Sequence, residues 1–178
     1  MILLLFSFAG VNIFYQLTIS TNWNDQILCL TIFMMCLEQA KMATVDFTNI
    51  RISKKYLRDP QLDNFLIITS ITITMELLGF YLVSFSKDWS IAIILISLIF
   101  FNSFAKINIL VLKIISIECS GIFQRISVLT ANYLGLGIMI LKMFNFFPII
   151  MSLILLSMTL AYITIKYSSN LLPNNINN

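Results

Sequence analysis

Glu76 stands in Thr74-Met75-Glu76-Leu77-Leu78-Gly79 and is the one charge between Phe65 and Ser86. A charged side chain at the centre of a bilayer costs roughly 2.5–3.5 kcal/mol on insertion scales and marks function by default. Nothing within one turn of Glu76 can neutralise it, so it must be protonated, paired with another helix, or facing water. The next apolar run, Trp89–Leu112, also holds a single charge, Lys106. If the two runs are antiparallel helices, Asn102 lies near the depth of Glu76. Lys106 then lies about 6 Å further along, at 1.5 Å per residue. A lysine stem covers that distance. The spacing predicts a Glu76–Lys106 pair, with Asn102 or Asn108 completing its hydrogen bonds. Such a pair is either a proton or ion site or a buried contact that fixes helix register. Alternatively, Lys106 snorkels toward the membrane surface.

Other groupings carry less chemistry. Glu38 and Lys41 are an i,i+3 pair, worth about 0.2–0.5 kcal/mol on an exposed helix, and they mark where a helix leaves lipid. Asp59-Pro60-Gln61-Leu62-Asp63 sets two carboxylates at i and i+4. Paired aspartates at a membrane face can hold Mg²⁺ for a diphosphate substrate, yet the richer aspartate motifs of intramembrane transferases are missing. Helix termination and a solvated turn suit them better. Ser127, Ala131 and Gly135 recur every four residues, a small-residue stripe that lets another helix approach closely. It serves internal packing or a partner subunit, with Asn132 and Tyr133 placed to hydrogen-bond across the contact.

Histidine is absent. That removes imidazole metal sites, bis-His haem and His-dependent nucleophilic catalysis. Of the three cysteines, Cys29 and Cys36 are seven residues apart, roughly 10 Å along a helix, which is too far for a disulfide. All three, Cys119 included, read as small buried hydrophobes. No metal site or cofactor is expected.

These residues need elements to hold them. Hydrophobic types make up 59% of the chain and charged types 11%, against roughly 45–50% and 25% in soluble domains. Disordered chains, nucleic-acid binders and water-soluble enzymes are excluded. A span needs about 20 apolar residues, and six stretches qualify or nearly so: 2–19, 27–45, 65–86, 89–112, 126–141 and 147–165. The expected fold is all-α, an integral membrane bundle of about six transmembrane helices in one domain over 1–169, with a polar tail at 170–178. Four or five spans are the alternatives, because 2–19 and 27–45 are the weakest cases. Continuous apolar runs argue against a β-barrel, which alternates apolar and polar positions. The segment Asp46–Asn64 is a basic loop, a polar extension of the second helix, or an interfacial amphipathic helix.

With six spans, Arg51, Lys54, Lys55, Arg58, Lys113, Arg125 and Lys166 share one side with both termini, and only Lys87 and Lys142 lie on the other. The positive-inside rule then predicts cytoplasmic termini, or stromal ones in a photosynthetic membrane. Trp89, Tyr162 and Tyr167 sit near span ends, where aromatic side chains anchor at headgroup level.

At Leu37–Phe47 (LEQAKMATVDF) and Leu62–Tyr81 the chain resembles uncharacterised multi-pass membrane proteins of cyanobacteria. The resemblance implies a plasma or thylakoid membrane and no activity that transfers to any residue. The bilayer is the first expected partner, with other membrane subunits or further copies of the chain beside it and no nucleic acid. Three functions compete. The first is a non-enzymatic accessory or assembly component of a membrane complex. The second is a small oligomeric transporter or channel using the Glu/Lys pair. The third is a lipid-modifying enzyme using Asp59 and Asp63.

Overall fold

A computed structural model describes residues 2–57, 59–111 and 115–171. Among these residues there are six α-helices: α1 (Ile2–Ile19), α2 (Trp23–Tyr56), α3 (Pro60–Leu82), α4 (Lys87–Phe104), α5 (Ile126–Met143) and α6 (Pro148–Leu171). Each is long and apolar enough to cross a bilayer. The protein is an all-α, multi-pass membrane bundle. Arg58, Lys113 and 172–178, most of the expected polar tail, lie outside the described residues.

Local chemistry sets the boundaries. The Asn22 side chain accepts from the Asn24 N–H at 3.1 Å to start α2. Asp25 in its first turn and Lys54 and Lys55 in its last complement the helix dipole. Asp59 accepts from the Gln61 N–H at 2.8 Å, and Pro60 takes the first position of α3, where its missing N–H costs nothing. Ser86 caps α4. Between α5 and α6 the chain reverses through Asn145 and Phe147, both at positive φ (60° and 42°), before Pro148 opens α6.

α2 is the outlier in length. Its 34 residues reach about 51 Å at 1.5 Å per residue, against a hydrocarbon thickness of about 30 Å. The expected alternatives for Asp46–Asn64 therefore resolve mostly as an extension of α2. A second hydrophobic cluster forms around that extension: Ile50, Leu62, Phe65, Ala105 and Ile107.

The fourth span is shorter than its sequence suggests. It was expected to run to Leu112, but α4 ends at Phe104 and an antiparallel hairpin follows, β1 (Ile107–Val111) with β2 (Ile115–Cys119). Ile107 is buried and Asn108 exposed, so the period there is two and not 3.6, and β-branched residues suit the pleat. Open strand edges have no place in hydrocarbon. The hairpin sits instead at the end of the bundle, with β1 against α2. It also corrects one cysteine: Cys29 and Cys36 are buried, but Cys119 is exposed.

α2, α3, α4, α5 and α6 form a ring, each against the next and α6 back against α2, with α1 outside on α2 and α3. The main core joins Phe6, Ala9 and Ile13 of α1 to Leu28, Ile32 and Cys36 of α2 and to Phe80, Ile91, Ile94 and Met139. Where α3 crosses α4 the backbones nearly touch: a Cβ on Gly79 would lie 2.7 Å from Ile94 Cγ1 and 3.1 Å from the Ser90 carbonyl oxygen.

Candidate functional site

The ring encloses a cavity of about 200 Å³, walled by residues of all five helices. Its polar lining is built by helical periodicity. On α2, Thr31, Met35, Glu38, Met42 and Asp46 recur at steps of three and four; on α3, Thr69, Thr72 and Glu76 do the same. Such steps put side chains on one helix face. Asn102 of α4 and Asn132 of α5 complete the polar wall. Among the described residues, no lysine or arginine lines the cavity.

The three carboxylates differ in their surroundings. Glu38 is held from α6: it accepts from Lys166 Nζ and, at 2.9 Å, from the Tyr167 hydroxyl. Lys41 Nζ donates to the same hydroxyl at 2.8 Å and lies 4.2 Å from the centre of the Tyr167 ring. Asp46 feels the charges of Lys166 and Arg125. Glu76 is only 2% exposed, and among the described residues no ion pair reaches it. Asp46, of the same sign, lines the same cavity. Two further polar groups in the wall have no hydrogen-bond partner among the described residues, the buried Thr69 hydroxyl and the Asn132 amide nitrogen.

This geometry corrects the expected Glu76–Lys106 pair, which does not form. Lys106 lies beyond the end of α4 and is exposed. Helix register explains why. Gly79 meets Ser90 and Ile94, and the Phe65 ring lies 5.9 Å from that of Phe101. Phe65 is eleven residues from Glu76, about 16 Å along the helix. Asn102, next to Phe101, therefore lies well away from the depth of Glu76, and Lys106 further still. Asn102 reaches the cavity, but its amide bonds back to the Leu98 carbonyl at 2.8 Å. Asn108 is drawn into a different arrangement. It accepts from Arg125 Nη2 at 2.7 Å, while the same guanidinium donates to Ser120 Oγ at 3.0 Å and to the Ile107 carbonyl at 3.2 Å. Arg125 thus clasps the hairpin.

The small-residue stripe divides. Gly135 is buried with Leu95 of α4 3.4 Å from its would-be Cβ and Leu155 of α6 at 3.9 Å. Ala131 lines the cavity, and Ser127 is exposed. Asp59 caps α3, and Asp63 pairs with Lys54 at 2.5 Å. Of the expected headgroup anchors, Tyr167 instead bonds Glu38, Tyr162 borders the cavity, and Trp89 is exposed.

Away from the hairpin, the other end of the ring is tied by polar bridges. Lys87 pairs with Asp25 at 3.2 Å, Lys142 with Asp88 at 2.6 Å, and Ser152 donates to Asn24 at 2.6 Å. Together they join the ends of α2, α4, α5 and α6. Neither this network, nor Asp46, nor the Thr69–Thr72 stripe was anticipated. Asp46 falls just past the second span, which was ended at Val45, in the segment expected to be a loop, a helix extension or an interfacial helix; it lies within α2. Its spacing to Glu38 and Met42 carried the signal.

Comparison with protein-family models, with curated proteins and with solved structures found no match.

Proposed function

We propose that the protein is a small membrane transporter whose central cavity is its solute site. One observation carries this reading: a ring of five apolar helices keeps an acidic space between them, with Glu76 buried against it and, among the described residues, without an ion-pair partner. A bundle held by packing alone gains nothing from a carboxylate in that place. The polar bridges at the Lys87 end tie together the ends of α2, α4, α5 and α6. The bias of basic residues supports a cytoplasmic or stromal hairpin end, and with it both termini, in a plasma or thylakoid membrane.

A transporter needs its cavity open to water on at least one side. The test is thiol labelling of Asn102→Cys in a Cys119→Ser background, in sealed vesicles of both orientations, with a charged methanethiosulfonate. Modification from one face at a rate well above the background of Cys29 and Cys36 is expected. Protection from both faces, while Lys106→Cys reacts normally, overturns the proposal and returns the protein to an accessory role within a larger complex.

A further inference from the structure

The cavity wall specifies more than a solute site. Among the described residues, no group of three His, Cys, Asp or Glu side chains could hold a metal ion. The space, about 200 Å³, is several times the roughly 30 Å³ a water occupies in the liquid, so a bare ion would leave most of it unfilled. Beside its polar groups the wall carries soft apolar side chains: Met35, Ile73, Leu98, Leu155 and Met158. Methionine adapts its shape to irregular organic surfaces. Charge points the same way. Glu38 is already met by Lys166 and Tyr167, whereas Glu76, 2% exposed, has no ion-pair partner among the described residues and shares the cavity wall with Asp46. The Thr69 hydroxyl, 1% exposed, also faces the space with no hydrogen bond of its own.

We propose that the cavity binds a monovalent organic cation, its charge against Glu76 and its apolar body against the methionine and leucine side chains. This rests on the transporter reading and names the ligand class of that site. The cation supplies the counter-charge that Glu76 lacks, in a low-dielectric space where an unpaired carboxylate is costly. An anion meets three carboxylates and, among the described residues, no lining cation. A neutral solute leaves Glu76 unmet.

The probe is radiolabelled 1-methyl-4-phenylpyridinium, applied to the full chain purified in mild detergent. Its competitors are two molecules of the same shape, uncharged 4-methylbiphenyl and the anion biphenyl-4-carboxylate. Saturable binding is expected, displaced by unlabelled cation and not by either competitor. Glu76→Gln should weaken it by about thirtyfold or more, the scale of losing one partner of a buried charge pair. Glu118→Gln, on the exposed hairpin, should leave it unchanged. Equal displacement by 4-methylbiphenyl overturns the proposal, and so does unaltered affinity in a folded Glu76→Gln protein. Charge selectivity on the unaltered chain decides the matter even if that variant fails to fold. Absent binding with Asn102→Cys open to the thiol reagent removes the cation assignment and leaves the transporter reading. Absent binding with that cysteine sealed from both faces removes both.

Discussion

Replacing Gly79 by alanine tests the contact that sets the register between α3 and α4. The added Cβ would stand 2.7 Å from Ile94 Cγ1, 3.1 Å from the Ser90 carbonyl oxygen and 3.4 Å from the Ile94 nitrogen. Carbon atoms pack best at about 3.5–4.0 Å, so the helices must part by nearly 1 Å or Ile94 must leave its rotamer. Overpacking of this kind costs about 1–3 kcal/mol. The better helix propensity of alanine returns up to about 1 kcal/mol. Gly137→Ala isolates that second effect, because nothing lies within 4 Å of its would-be Cβ. The difference in stability between the two variants is therefore about 1–3 kcal/mol, with Gly79→Ala the weaker. The assay is unfolding by SDS in mixed micelles, followed by fluorescence of Trp23 and Trp89. Ile94→Ala removes the clashing carbon, so Gly79→Ala should cost less in that background, and a double-mutant cycle reads the coupling directly. Gly79→Ala matching Gly137→Ala, or adding its full cost to that of Ile94→Ala, would refute the close crossing.

Two further variants probe the ends of the bundle. Lys142 is 5% exposed and pairs with Asp88, whose side chain is 33% exposed. Asp88→Asn should destabilise the protein by about 1–3 kcal/mol, below the full cost of orphaning a buried charge because Asp88 is partly hydrated. Adding Lys142→Met should recover part of that loss in the same SDS titration; no recovery would mean the pair is not what holds α5 to α4. At the hairpin end, Arg125→Lys keeps the charge but loses the fork that reaches Ser120, Ile107 and Asn108 together. Faster amide exchange is expected in Ile107–Val111 and Ile115–Cys119, with α3 and α4 unchanged. Unaltered exchange in the hairpin would show that the guanidinium does not clasp it.

The number of apolar helices was legible in the sequence because it depends on local properties. Runs such as Phe65–Ser86 and Phe147–Ile165 are long, apolar and nearly free of charge, and in a bilayer only a helix satisfies such a backbone. Glu76 was legible for the same reason: a lone carboxylate in that setting is conspicuous whatever surrounds it.

What surrounds Glu76 was decided only by tertiary structure. Its depth relative to Asn102 and Lys106 depends on where α3 crosses α4, and that crossing is set by the missing side chain of Gly79 against Ser90 and Ile94. A shift of a few residues moves a partner by several ångströms, enough to dissolve a pair that looked plausible from span centres. Likewise, Glu38 finds Lys166 and Tyr167 more than a hundred residues away, and Arg125 finds the hairpin, because ring closure brings α6 to α2 and turns the chain back after α4. Hydropathy states which segments enter the membrane, since transfer from water is a property of each segment alone. It is silent on which faces meet inside, because there lipid and side chain are equally apolar and the choice falls to packing and a few polar contacts.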